Sequence, residues 1–227
     1  MPLLNLRDVG LSTGRVRPGV LFRSAQPQGA GAAGLPAELD AVRLVVDLRA
    51  EPERVHGDWA ELPGVAVVRL GGEGSPAGMA ELPPGLTLGE LYVLLLRHRA
   101  AWFARVVAEL AGPGGLPALV HCAAGKDRTG LVVALVLDLV GVEHEAIVAD
   151  YLRTGEQLPQ VLAALPTAEA PAAFLEAPEE AIRAALAALR EAGGAQALLA
   201  PHGLAPAHVD RLRTALTGAP ALAPLAG

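Results

Sequence analysis

Apolar and polar positions change rhythm several times along the chain, and each change marks a predicted element. RLVVDLR (43–49) and VAVVRL (65–70) are short, apolar and rich in branched residues. Such runs, separated by segments of helical pattern, predict buried strands of a partly parallel sheet. PALVHC (117–122) is a third strand of this kind. The first thirty residues are turn-rich, with short extended pieces predicted around Val16 and in VLFRS; EPERVHGDW reads as a polar connection. Thr87 and Glu90 have capping-box spacing and open a predicted helix that runs to about Leu110 and stops at AGPGG. A strongly apolar helix is predicted from about Thr129 to Val140, and EHEAIVADYLRTG continues as another. Pro159, Pro166, Pro171 and Pro178 are expected to break up the next stretch of chain. PEEAIRAALAALREAGG then has a proline start and a glycine stop, and two short helical pieces come after it, in AQALLAP and APAHVDRLRTAL. The Gly/Pro-rich stretch 71–86 is long enough for a lid or a rim.

Composition narrows the class. A chain of 227 residues suits a single domain over 1–217, with 155–217 as a helical extension and 218–227 as a disordered tail. The formal net charge of −6 argues against a nucleic-acid binder but allows a small basic pocket. One cysteine forms no internal disulfide. The start MPLLNLRDVG meets Arg7 and Asp8 too early for a signal peptide, and LVVALVLDLVGV is too short for a span and carries Asp138. No stable membrane insertion is expected, and the location expected is cytoplasmic. The six histidines show no metal-ligand spacing, so neither metal nor cofactor is expected.

The only cysteine and the only lysine lie together in HCAAGKDRTG (121–130), between a predicted strand and a predicted helix. Five residues separate Cys122 from Arg128: Ala123, Ala124, Gly125, Lys126 and Asp127. Small residues let the backbone curl and turn its N–H groups inward, and the following helix adds free N–H groups and the positive end of its dipole. That makes a phosphate-sized anion site, which Arg128 closes with two parallel hydrogen bonds. The same field favours the thiolate of Cys122, a nucleophile that forms a phosphocysteine. Thr129 is placed to hydrogen-bond the sulfur and improve it as a leaving group, and His121 to order the loop. A nucleotide-binding P-loop is excluded, since its first glycine falls on Val120 and no Ser or Thr follows Lys126.

HCAAGKDRTG resembles the H-C-x5-R-[ST]-G signature of cysteine-dependent phosphatases. Its G-K-D-R-T-G version is similar to the bacterial tyrosine and dual-specificity phosphatase family, which has mycobacterial members. NLRDVG, GVLFRSAQP, VVDLRAEPE and the ADYLRT helix agree in order, so the likeness spans roughly residues 3 to 155. DVGLSTG departs from the pattern by lacking a second glycine after Gly10. The resemblance implies an α/β fold of the cysteine-dependent phosphatase kind, with a central partly parallel sheet flanked by helices and a helical C-terminal extension. It also implies hydrolysis of phosphotyrosine, with phosphoserine and phosphothreonine as further substrates. Lys126 stands where phosphoinositide phosphatases of this superfamily also have a lysine. An ammonium there, at the pocket mouth, keeps a phosphoinositide or inositol phosphate as the alternative to a phosphorylated protein.

The leaving group needs an acid. No aspartate lies between Asp58 and Asp127, so the usual upstream loop aspartate is missing, and Asp127 becomes the candidate. Glu73 and Glu81 stand second. Asp47 and Arg49 end a predicted strand and read as a brace, as do Arg23 and Ser24. Tyr92, Trp102 and Phe103 read as core. Two competing classes are a phosphate-binding module without turnover, against which Cys122 and Arg128 together speak, and a rhodanese-type sulfurtransferase, whose loop is usually one residue shorter.

Overall fold

The computed structural model describes residues 3–32, 34–72, 85–165 and 175–218. A five-stranded sheet has the spatial order β1 (Arg7–Asp8), β2 (Leu21–Ser24), β7 (Ala118–His121), β4 (Leu44–Asp47) and β6 (Ala66–Arg69). All pairs are parallel except β1 with β2. Two further short strands, β3 (Gly29–Ala32) and β5 (Gly57–Trp59), pair apart from this sheet. The expected α/β architecture is present. Val16 lies in no strand but in a bend after α1 (Val9–Thr13), which is capped by the Asp8 carboxylate on the Gly10 and Leu11 amides.

The three inner strands β2, β7 and β4 are buried on both faces, as continuous apolar runs predict, but β6 is the sheet's edge and is half-buried to exposed, so VAVVRL is not the buried strand expected of it. Leu44, Val46 and Val120 face one hydrophobic cluster, while Phe22, Val45 and Leu119 face another. The larger cluster is covered by α2 (Leu88–His98), α3 (Ala100–Leu110), α4 (Asp127–Leu139) and α5 (His144–Ala163). It also takes in side chains of α6 (Glu179–Glu191), α7 (Ala195–Leu199) and α8 (Pro206–Thr217). Helix α6 lies so close to α2 that a Cβ on Gly89 would meet Ala184 Cβ at 3.1 Å.

Three more sequence expectations change. The single helix from Thr87 is two, because Arg99 falls on the apolar stripe between Leu95 and Trp102 and leaves helical geometry there. The capping box itself is present, with Glu90 N donating to Thr87 Oγ1 at 3.2 Å and Thr87 N to Glu90 Oε2 at 2.8 Å. Pro159 does not end a helix: α5 runs through it, held by buried Leu158 and Val161. EPERVHGDW is no mere connection, since it forms a 3-10 helix (Glu51–His56) followed by β5. Among the described residues no helix is long and apolar enough to cross a membrane. The 218–227 tail beyond Gly218, and most of the 71–86 stretch, lie outside the described residues.

Candidate active site

Strand β7 lies at the middle of the sheet and delivers residues 122–126 to the carboxyl edge of the parallel strands, where α4 begins. Sites in open α/β sheets form at that edge. The loop's conformation follows from where its carbonyls point. Ala123 O accepts from Gln26 N at 2.9 Å. Asn5 Nδ2 donates to Ala124 O at 3.1 Å and to Gly125 O at 3.2 Å, and Arg23 Nη2 donates to Gly125 O at 2.8 Å. Lys126 O accepts from Gly130 N at 2.8 Å, as the first turn of α4. With the carbonyls held from outside, the N–H groups turn to the inside. Among the described residues, those of Ala123, Ala124, Gly125 and Lys126 donate to no protein acceptor. Together with the free amides of α4's first turn they are a group of unpaired donors, the kind of backbone arrangement that suits an anion. Gly125 makes the curl possible: its φ is 67°, and a Cβ there would lie 2.2 Å from Ser24 O.

Cys122, which opens the loop at the end of β7, is 2% exposed. His121, beside it, is fully buried, and its tautomer follows from its neighbours. Trp59 Nε1 donates to His121 Nε2 at 2.8 Å, so that nitrogen is the acceptor. The proton is therefore on Nδ1, which lies 3.1 Å from Cys122 O and donates to it. Burial holds the imidazole below its ordinary value, against the pull of Asp47. The buried imidazole is thus held neutral and tied through Nδ1 to the carbonyl of Cys122 at the start of the loop.

Arg128 makes a contact that sequence reading missed. Its Nη1 donates to Leu48 O at 2.9 Å and to Glu53 Oε2 at 2.7 Å, and its Nη2 donates to Glu53 Oε1. Burial alone would lower the guanidinium's pKa, but the Glu53 hydrogen bonds and nearby negative groups outweigh it and raise it. Burial pushes Glu53 up in turn, and its hydrogen bonds and pairing with Arg128 overcome this and hold it low. A guanidinium has five N–H groups. Among the described residues three are engaged, which leaves Nε–H and one Nη2–H, a parallel pair along one edge. The sequence signal for Glu53 was its place: three residues after Ala50, in the turn following a parallel strand. Its Oε2 accepts the Ala50 amide at 2.7 Å, a helix-start contact.

Asp127 is at the first position of α4 with its carboxylate 31% exposed. Its Oδ1 accepts from Tyr92 OH at 2.7 Å and lies 2.9 Å from Lys126 Nζ. Lys126 is not at the mouth. It is 1% exposed, and its ammonium also donates to Glu176 O at 2.6 Å, because the loop turns this side chain back beneath the start of the C-terminal helices. Thr129 is fully buried, and among the described residues its Oγ1 has no hydrogen-bond partner, so the expected bond to the sulfur is not made. Trp102 and Phe103 are core, as expected; Tyr92 is core by its ring, while its hydroxyl reaches the site.

Asp47 and Arg49 pair at 2.7 Å in full burial and brace the strand ends. Arg23 pairs with buried Asp150 on α5 while holding the loop, and Ser24 Oγ bonds Ala25 O. Asn5, the one described non-glycine residue with positive φ, was missed because it lies 119 residues from Ala124. Glu73 and Glu81 lie outside the described residues. Among those described, no group of three or more potential ligands is placed to hold a metal.

Residues 2–218 match the model of the tyrosine phosphatase family. A putative tyrosine-protein phosphatase of Cupriavidus necator is 35% identical over 169 residues, 67% of this chain and 61% of that protein. The triple specificity protein phosphatase PtpB of Mycobacterium tuberculosis is 59% identical over 59 residues, 26% of this chain and 21% of its own length. A tyrosine-protein phosphatase of Nostoc commune is 45% identical over 65 residues, 29% of this chain and 22% of its own. The matches thus span from about a fifth to three-fifths of these relatives. With a family match running almost from end to end, the chain belongs to the tyrosine phosphatase family.

Proposed function

We propose that this protein hydrolyses phosphotyrosine monoesters on proteins, and phosphoserine or phosphothreonine as well, through a phosphocysteine intermediate. The observation that carries the reading is the loop's polarity: its carbonyls are bound from outside and its amides are free inside, over a buried sulfur. Phosphate oxygens take those amides and the open Nε/Nη2 edge of Arg128, so the charge that grows on them in the transition state meets preset donors. Cys122 Sγ then attacks phosphorus, the bond to the leaving oxygen breaks, and that oxygen takes a proton from Asp127. In the second step the Asp127 carboxylate removes a proton from water, water oxygen bonds to phosphorus, and the S–P bond breaks to release phosphate. Thr129 Oγ1, without a partner, is the donor held for the sulfur as it leaves. Ala123, Ala124, Gly125 and Lys126 serve through their amides.

A phosphorylated protein is preferred over a phosphoinositide because the argument for the latter was a free ammonium at the mouth. That ammonium is buried and bound. A cytoplasmic site of action belongs to the same proposal, supported by the requirement that the single cysteine stay reduced.

The test is Cys122→Ser on an aryl phosphate and on phosphotyrosine peptide. Turnover should vanish while vanadate or phosphate still binds, since the loop amides remain. Turnover at the wild-type rate would end the cysteine mechanism.

A further inference from the structure

Asp127 Oδ1 is approached by two donors, Tyr92 OH at 2.7 Å and Lys126 Nζ at 2.9 Å. Its Oδ2 makes no hydrogen bond among the described residues. Behind Tyr92 lies Tyr151, the two hydroxyls 2.9 Å apart. A phenol has one proton to give. With Tyr92's directed at Asp127, Tyr151 must donate to Tyr92, so the chain of donors runs Tyr151 to Tyr92 to Asp127. We propose that Tyr92, backed by Tyr151, is a positioning residue that holds Asp127 by Oδ1 and so makes Oδ2 the oxygen that delivers the proton. This rests on the reading of Asp127 as the acid.

The geometry supports it in three ways. An ammonium donates and never accepts, so Lys126 disfavours a proton on Oδ1 and leaves Oδ2 to carry it. Burial, with the charge of Asp127, holds both phenols above their ordinary value, so they stay neutral donors at the pH where a phosphatase works. The pair is also rigidly built. Tyr92 comes from α2 and Tyr151 from α5, their rings are edge-to-face at 6.2 Å, and Tyr151 lies over Gly130 of α4. A Cβ on Gly130 would stand 3.2 Å from Tyr151 Cδ2, which gives the glycine of the signature a reason. In the first step the proton passes from Oδ2 to the leaving oxygen, and the new carboxylate lies between Lys126 and Tyr92. In the second, Oδ2 takes the proton of the attacking water and regains its starting form.

The test compares wild type, Tyr92→Phe and Asp127→Asn on phenyl phosphate and on 2,4-dinitrophenyl phosphate, whose leaving group needs no acid. Tyr92→Phe should lower kcat/KM for phenyl phosphate about tenfold, the size of one hydrogen bond to a charged group, and leave the activated ester within about twofold. Asp127→Asn should show the same selectivity more strongly, and adding Tyr92→Phe to it should change the selectivity no further. An even loss on both esters in Tyr92→Phe, with Asp127→Asn still selective, reduces Tyr92 to a packing residue and overturns the proposal. An even loss in Asp127→Asn removes the acid reading itself. If Tyr92→Phe does not fold, as thermal melting and vanadate binding will show, Tyr151→Phe replaces it. That variant should give a smaller loss confined to phenyl phosphate, and its indifference would sink the relay.

Discussion

Arg49 and Arg128 stand close together at the carboxyl edge of the sheet, and each grips a carboxylate with two nitrogens, yet they do opposite work. Arg49 gives its Nε/Nη2 edge to Asp47, at 2.9 and 2.7 Å, and turns Nη1 to Gln26 Oε1 at 3.2 Å and to Gly57 O. Every direction of that guanidinium meets protein. Arg128 gives its Nη1/Nη2 end to Glu53 and Leu48 O, which leaves the Nε/Nη2 edge open. The same residue type in the same region is a brace in one case and, on the function proposed above, a ligand clamp in the other. What separates them is which edge the carboxylate occupies, and that depends on whether it comes from the arginine's own strand end or from a turn across the loop.

The contrast can be broken experimentally, beginning where the effect is largest. Arg128→Lys keeps the charge and loses the fork. It should lower kcat/KM for an aryl phosphate about 10³-fold, the upper range for loss of a transition-state donor, with little change in melting temperature. Arg49→Met should do the reverse. It leaves Asp47 buried and uncompensated, a cost of about 3–5 kcal/mol, so melting temperature should fall steeply while the folded fraction keeps its turnover. If Arg49→Met left stability intact but abolished turnover, the division between brace and clamp would be wrong.

Glu53→Gln is the finer probe. The amide still reaches Arg128 but no longer anchors it by charge, and kcat/KM should fall about tenfold. Its pH behaviour follows from sign. Glu53 is held below its ordinary value of 4.5 in the folded protein, so it adds stability above that pH, and the contribution is lost as pH falls below it. The melting-temperature gap between wild type and Glu53→Gln should therefore be widest near neutrality and close on acidification. A gap that widened toward low pH would contradict the pairing.

The two arginines also show how far the chain could be read unaided. Cys122, Arg128 and the five-residue spacing were legible because ring size is a local matter: a fixed number of residues between a strand and a helix closes around an anion of one size. Three strands of the sheet, two inner and one at its edge, and most helices were legible from apolar rhythm for the same reason, since the period of burial is written in neighbours. Glu53, Asn5, Trp59 and Tyr92 were not. Each acts on the loop across a long separation, 75 residues for Glu53 to Arg128 and 119 for Asn5 to Ala124, and of the four only Glu53 carries a local hint, its place in the turn after β4. Lys126 shows the converse failure. Its position in the motif was read correctly, but its side chain turns under the fold rather than outward.

Sequence by itself thus determined the chemistry available: a sulfur, a phosphate-sized ring, a guanidinium and an adjacent carboxyl. Tertiary structure decided its orientation. Donors from Asn5, from Arg23 on β2 and from the Gln26 amide hold the loop's carbonyls, while acceptors in the turn after β4, Leu48 O and Glu53, hold one end of Arg128. The physical reason is that a peptide unit is a dipole with two ends: satisfying one end from distant parts of the fold is what frees the other for a ligand.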